Sequence, residues 1–267
     1  MLVTLLTDFG TRDYFVGAMK GALLAVNSHA HIVDLTHEIP AHDIAAGAFT
    51  LVAAYDVFPP QTIHVAVVDP GVGSARRPIV VATRDYFFVG PDNGLFSYVC
   101  EREPDARVFH MTNEKYFRAP VSDTFHGRDI FAPVAGALSQ GVAPEALGEL
   151  IDDHVRLAQL APARAADGTL NASIIHIDRF GNCITNITRR ELTDEMIARG
   201  LVLQIGSQHV RSFRRFFAEG DAGMRELFAI WGSAGFLEIA AARASAAQLL
   251  GVKRGQQIVV QSPKSKV

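Results

Sequence analysis

The sequence predicts an α/β protein in two parts: an N-terminal α/β domain over residues 1–155, its parallel-rich sheet lying between helices, and a smaller C-terminal β domain, a barrel or sandwich, over 169–267. Three observations predict it. Strand-like and helix-like patterns alternate through the first half. Between 151 and 168 the alternation stops, and the small, proline-bearing, aperiodic run Ala161-Pro162-Ala163-Arg164-Ala165-Ala166-Asp167-Gly168 reads as a linker over 156–168. Beyond it, short strand candidates dominate, and a barrel or sandwich is their natural packing. A chain of 267 residues, 49% hydrophobic and 20% charged, fits two domains with a sizeable buried core.

Each element has its own signal. Residues 2–7 form a compact apolar run closed by Asp8-Phe9-Gly10, and 14–26 carry apolar residues at helical spacing. A short strand is expected at 31–35, an alanine-rich helix at 44–55, and a third strand at 62–68, with further strands at 78–82 and 86–89. Helical spacing returns at 95–101 and 130–139. In the second half, strands are expected at 170–177, 183–187, 201–205, 209–213, 227–231, 236–240 and 256–261, with helices at about 191–198 and 244–250. The tail Lys264-Ser265-Lys266 is expected to fray.

Composition excludes several classes. A net charge of −3 and the absence of any Lys/Arg run argue against a nucleic-acid partner. Residues 1–7 are apolar but lack a basic lead and meet Asp8 too soon for a signal peptide. No stretch reaches the roughly 18 apolar residues of a membrane span. The two cysteines, Cys100 and Cys183, have no metal spacing and read as buried thiols of a reducing cytoplasm. A soluble, cytoplasmic protein is expected.

Chemistry concentrates in a few turns. Asp69 ends an apolar strand, Pro70-Gly71 turns the backbone at once, and Gly73-Ser74 reverses it again, so Arg76 can fold back toward Asp69. That pair either serves chemistry or pins the loop, and Arg77 beside it is expected as a surface charge. His126, in Thr124-Phe125-His126-Gly127-Arg128-Asp129, is either a packed or capping residue or a titratable catalyst. Gly127 permits close approach of a ligand; Arg128 and Asp129 read as structural, pairing together or capping the next helix. Asp8, just past a strand end and near Gly10, suits a bidentate grip on a ribose diol, whereas capping of the following helix is available to Asp13. Asp178-Arg179-Phe180-Gly181-Asn182 combines a carboxylate, an aromatic face and an amide, able to hold an amine, stack on a base and read its edge, or else to form an Asx-type turn. In Gly232-Ser233-Ala234-Gly235-Phe236-Leu237-Glu238, a carboxylate among apolar neighbours needs a partner.

Metal binding is the rival, because the chain has ten histidines. None forms His-Glu-x-x-His, and His37 and His42 straddle Pro40; Asp34, His37, His42 and Asp43 are the metal-ligand alternative. No Gly-x-Ser-x-Gly turn, phosphate loop or Gly-x-Gly-x-x-Gly fingerprint is present, which argues against triad hydrolysis and ordinary nucleotide binding. No metal and no cofactor are expected.

Taken in order, Thr7-Asp8-Phe9-Gly10, Val33-Asp34-Leu35-Thr36-His37, Val68-Asp69-Pro70-Gly71-Val72-Gly73, Pro91-Asp92-Asn93-Gly94-Leu95, the His126 segment, Phe180-Gly181-Asn182 and the Ser233 to Glu238 turn span nearly the whole chain. This series resembles the S-adenosyl-L-methionine (SAM) hydroxide adenosyltransferases, the adenosine-forming SAM hydrolases, which are relatives of the SAM-dependent fluorinase and chlorinase. The resemblance implies a homotrimer whose active sites lie between the N-terminal domain of one subunit and the C-terminal domain of its neighbour. It implies an Asp-Arg-His catalytic set at Asp69, Arg76 and His126, and a ribose contact at Asp8. Asn93 falls among the substrate contacts, Asp178 matches a contact to the methionine amine, Asn182 one to adenine, and Phe180 the aromatic beside it. Ser233 matches a contact to the methionine carboxylate, which Glu238 supports, and backbone at Arg243 falls where adenine is touched. Two departures concern halide: the halogenating relatives carry an aromatic where Asp69 stands and a serine where Gly127 stands. A third is Ala234, where they place an arginine.

The implied reaction is in-line attack of water or hydroxide on C5′ of SAM, giving adenosine and methionine. Asp69 and His126 would orient the water and take its proton, with Arg76 holding Asp69 ionised. A SAM-dependent halogenase and a non-catalytic adenosine- or SAM-binding protein are the alternatives, and a metal-dependent hydrolase a third.

Overall fold

A computed structural model describes residues 1–219 and 225–261. The chain divides into two compact units, Met1–Ala158 and Gln159–Val267.

In the first unit the order is β1 Leu2–Thr7, α1 Phe15–Val26, β2 His31–Thr36, α2 Ile44–Val52, β3 Thr62–Val67, β4 Pro78–Ala82, β5 Tyr86–Pro91, α3 Ser97–Arg102, β6 Arg107–Met111, α4 Ala132–Ser139 and β7 Gly148–Ile151. One sheet runs β2-β1-β3-β5-β4-β6-β7, with β2, β1, β3 and β5 mutually parallel and β4, β6 and β7 added antiparallel. Every residue of β3 is buried because both sheet faces are covered. Ile63, Val65 and Val67 face Met19, Leu23 and the α4 side chains, whereas Ala66 and Val68 face α2 and α3. Chain order makes β1 the point of reversal: the path goes to β2 on one side and returns to β3 on the other. The crevice outside the carboxyl ends of β1 and β3 is therefore where such a fold offers a site.

The second unit comprises β8 Ala163–Arg164, β9 Leu170–Ile177, β10 Cys183–Thr188, α5 Asp194–Ala198, β11 Val202–Ile205, β12 Gln208–Val210, β13 Phe213–Arg214, β14 Leu227–Trp231, β15 Phe236–Ala241, α6 Ala246–Leu250 and β16 Gln257–Gln261. Its curled sheet runs β12-β11-β16-β9-β10-β15-β14-β13, with β8 beside β9. Alternating Leu170, Ala172 and Ile174 join Leu237, Ile239 and Ile258 in its core.

Several expectations need correction. The strands β6 and β7 were not predicted: they are short, lie at the antiparallel end of the sheet, and β7 is largely exposed. The run at 209–213 splits into β12 and β13, which pair with different neighbours. Ala163 and Arg164 of the linker form β8. Asp13 caps nothing: Tyr14 is the N-cap residue of α1, without a side-chain cap. Helix α2 stops at Val52 and a short 3-10 turn, Tyr55–Val57, follows. The tail residues 264–266 lie outside the described residues. Among the described residues, no helix is long and apolar enough to cross a membrane. Both cysteines are free; Cys183 is buried, Cys100 is half-buried, and burial pushes each thiol up to about 11.

Candidate active site

Three predicted residues of the first unit follow parallel strands at one sheet edge. Thr7 of β1 pairs with Val67 of β3, so Asp8 and Asp69 emerge beside one another at the switch point. Asn93 follows β5, and its Nδ2 donates to the Val68 carbonyl at 2.8 Å, while Oδ1 accepts from the Leu95 N–H at 3.2 Å.

Arg76 does fold back. Its Nε donates to Asp69 Oδ1 at 2.9 Å and its Nη2 to Oδ2, giving the paired geometry that fixes both groups. The pair is nearly dry, with side chains 8% and 5% exposed. The same Nη2 lies 2.7 Å from His126 Nδ1. A guanidinium has only donors, so Nδ1 must accept, and the imidazole carries its proton on Nε2. Burial, then the Arg76 charge, holds the His126 pKa below its ordinary value against the opposing pull of Asp69, Asp123 and Asp129. His126 is thus neutral at pH 7, with Nε2–H as its remaining donor. Below the guanidinium lies the Phe131 ring, 5.3 Å from Arg76 Cζ.

Local sequence explains how two remote loops meet. Gly73 has φ 77°, and a Cβ there would stand 2.2 Å from the Asp123 carbonyl oxygen, so only glycine lets the Asp69 loop touch the segment before His126. His126 introduces a π-helical turn, Gly127–Phe131, that runs directly into α4. Asp129 secures this segment: fully buried, it accepts from Arg118 Nη1 at 3.1 Å, Arg128 Nε at 2.7 Å and Nη2 at 2.8 Å, and the Ser122 N–H at 3.0 Å. Burial alone would push this carboxyl up; the bonds from Arg128, Ser122 and Arg118 outweigh it and hold it low. The structural expectation for Arg128 and Asp129 holds.

Asp8 Oδ2 accepts from the His42 N–H at 2.8 Å, with His42 in the left-handed region at φ 68°. Phe9, Phe15 and Phe125 pack with ring centroids 5.2–5.9 Å apart and tie the Asp8 loop to the His126 loop. His37 bonds Thr7 Oγ1 through Nδ1 at 2.9 Å and faces Asp34 through Nε2 at 3.1 Å. Among the described residues no group of three or more His, Cys, Asp or Glu side chains is gathered to hold a metal ion.

The second unit carries its own concavity of about 750 Å³, and Asp178, Phe180, Asn182, Ser233, Glu238 and Arg243 all line it. The Asx-type turn is real: Asp178 Oδ1 accepts from the Phe180 and Asn182 N–H groups at 2.9 and 2.8 Å, and Oδ2 from Asn182 Nδ2 at 2.9 Å. Gly181 seats this turn on Ser245, whose Oγ would lie 2.0 Å from any Cβ there. Phe180, locked at the turn, is 78% exposed. Burial, and then the charge of Asp178, pushes the Glu238 carboxyl up.

Sequence reasoning missed three contributors. Phe217 and Trp231 line the concavity. Arg77 is no free surface charge: it pairs with Asp92 and Asp153, each at 2.7 Å. A Trp directly before Gly232-Ser233 was a usable signal; an arginine's choice of distant carboxylate was not.

The SAM hydroxide adenosyltransferase N-terminal domain family matches residues 3–148, and its C-terminal domain family matches 172–259. The chain is 38% identical over 265 residues to a protein of Methanocaldococcus jannaschii named (R)-S-adenosyl-L-methionine hydrolase, covering 94% of this chain and 92% of that protein. It is 25% identical to a fluorinase of Nocardia brasiliensis, over 97% and 96% of the two chains. A crystal structure of an uncharacterized conserved protein from Thermotoga maritima superposes with a TM-score of 0.89 at 34% identity, covering 97% of this chain and 99% of that one.

Proposed function

The chain belongs to the SAM hydroxide adenosyltransferase family, and from that premise we propose that it hydrolyses S-adenosyl-L-methionine to adenosine and L-methionine. One observation carries the chemistry: Asp69, Arg76 and His126, remote in sequence, form one hydrogen-bonded network, with a nearly dry Asp69–Arg76 pair, at the switch point of a parallel sheet.

A water oxygen attacks C5′ in line with the C5′–S bond. The C5′–O bond forms, the C5′–S bond breaks, and sulfur keeps the electron pair as the neutral thioether of methionine. The leaving group therefore needs no acid. The water's proton goes to Asp69, whose two oxygens keep lone pairs beyond those used by Arg76. His126, its Nδ1 committed to Arg76, orients the water oxygen by donating from Nε2. Attack by a forming anion on a sulfonium disperses charge, which a site shielded from water favours.

Asp8 holds the ribose diol, and Asn93 offers its second amide hydrogen beside it. In the second unit, Phe180 stacks on adenine, Asn182 and the backbone at Arg243 read its edge, Asp178 takes the methionine amine, and Ser233 with Glu238 holds the carboxylate end. The protein works as a cytoplasmic homotrimer, each active site joining the first unit of one subunit to the second unit of its neighbour. Glu238 lies at the carboxylate end, and its raised carboxyl eases protonation beside a substrate carboxylate.

Incubation with SAM, followed by chromatography, is expected to show adenosine and methionine in equal amounts. Binding without turnover would reduce the chain to a SAM-binding protein, and chlorodeoxyadenosine formed with added chloride would make it a halogenase. Light scattering is expected to give three times the chain mass of 28.9 kDa.

A further inference from the structure

The loop carrying the network is held at both ends by the terminus of one strand. Asp92 and Asn93 follow β5. Asn93 grips the residue before Asp69 through the Val68 carbonyl. Asp92 grips the residue after Arg76: Arg77 Nε and Nη2 donate to Asp92 Oδ2 at 2.9 and 2.7 Å, and the Asp92 N–H returns a bond to the Arg77 carbonyl at 2.9 Å. Arg77 Nη1 donates to Asp153 Oδ1 at 2.7 Å, and Nη2 to the Asp153 carbonyl at 3.0 Å. Asp92 is itself anchored, its side chain 3% exposed and its Oδ1 accepting from the Val155 N–H at 2.8 Å.

We propose that Arg77 and Asp92 are positioning residues for the catalytic network, fixing the 76–77 peptide so that the Arg76 guanidinium meets Asp69 and His126 together; the kinetic part of this inference rests on the SAM-hydrolase function. Two adjacent arginines both seek carboxylates. Asp92 and Asp153 satisfy Arg77 and leave Asp69 to Arg76 alone. Their several bonds also fix direction, which a single point charge cannot do. A shift of about 1 Å in Arg76 would break its contact with His126, an error able to cost about 10²-fold in rate.

Two measurements test this, on Arg77→Ala, Arg77→Lys and the shape-preserving Asp92→Asn, each checked for folding by circular dichroism. In the ¹⁵N spectrum of histidine-labelled protein, with His126 assigned through His126→Gln, the ring resonances of His126 are expected to move in Arg77→Ala and Asp92→Asn. Kinetically, kcat should fall about 10-fold or more with KM changed less than about threefold, and Arg77→Lys should recover only part. Adding Arg77→Ala to Arg76→Lys, where the fork is already lost, should cost less than about threefold more. Unmoved His126 resonances in a folded variant overturn the proposal, whatever the substrate. So do an unchanged kcat, a loss confined to KM, or a full additional loss in the Arg76→Lys background. If Arg77→Ala does not fold, Asp92→Asn decides alone. Resonances that move in a protein inactive on SAM support the positioning role and count against the hydrolase function instead.

Discussion

The two units treat their polar groups in opposite ways. In the first, Asp69, Arg76 and His126 bond to one another, and Asp129 is buried with a full set of donors. In the second, Phe180 and Ser233 stand exposed at the rim of a concavity, and Glu238 lines it with its carboxyl pushed up. One region is organised before anything binds; the other presents open, exposed surfaces around a concavity. That contrast suits a reaction whose difficulty is aligning a poor nucleophile, on a substrate large enough to need a separate grip.

The largest effects should come from breaking the organised region. Asp69→Ala, Arg76→Ala or His126→Ala should each lower adenosine release by about 10² or more. Arg76→Ala should also destabilise, by about 3–5 kcal/mol, because it strands a buried carboxylate. The double variant Asp69→Asn with Arg76→Met should regain much of that stability in denaturant titrations without regaining activity. Recovery of both together would show that the pair merely pins its loop.

Substitutions in the open region should act on binding. Phe180→Ala should raise KM by about 10-fold, the scale of one lost base–aromatic stack, with kcat little changed. Asp8→Ala should likewise raise KM chiefly, and an unchanged KM in steady-state assays would remove its ribose contact.

Smaller effects follow from protons. The depressed pKa of His126 keeps its Nδ1 free to accept from Arg76 at neutral pH. Activity should be full near pH 7 and fall on acidification below the ordinary histidine value of about 6.5, once a proton on Nδ1 opposes Arg76. Activity already lost on acidification at or above about pH 6.5 would contradict this. His64 is buried in the first unit against Thr4 Oγ1 at 2.7 Å, and burial lowers it to about 4. Its folded pKa lies below its unfolded one, so its contribution is complete above about 6.5 and lost as pH falls toward 4. The whole span is worth about 3 kcal/mol. Denaturation of His64→Gln should therefore lose less stability between pH 7 and 4.5 than the parent chain.

Legibility in the sequence followed the range of the interactions. Strands such as β1, β3 and β9 announced themselves because burial on one or both faces writes a local apolar pattern. The Asp69–Arg76 pairing was also local, set by two glycine-bearing turns within seven positions. His126 was legible as a candidate, but its tautomer depends on a bond across fifty positions. Arg77 was misread for the same reason: nothing near it in the chain points to Asp92 or Asp153. The strands β6 and β7 were missed because both are short and the edge strand β7 is largely exposed. The concavity of the second unit needed the fold, which brings Asp178 on one turn to Glu238 on another strand.

The most direct test is to supply SAM in H₂¹⁸O and weigh the products. Attack of solvent on C5′ predicts adenosine heavier by one ¹⁸O at its 5′-hydroxyl, unlabelled methionine, and loss of both products in Asp69→Ala. Unlabelled adenosine, or undiminished labelling in that variant, would contradict water activation by the Asp69–Arg76–His126 network.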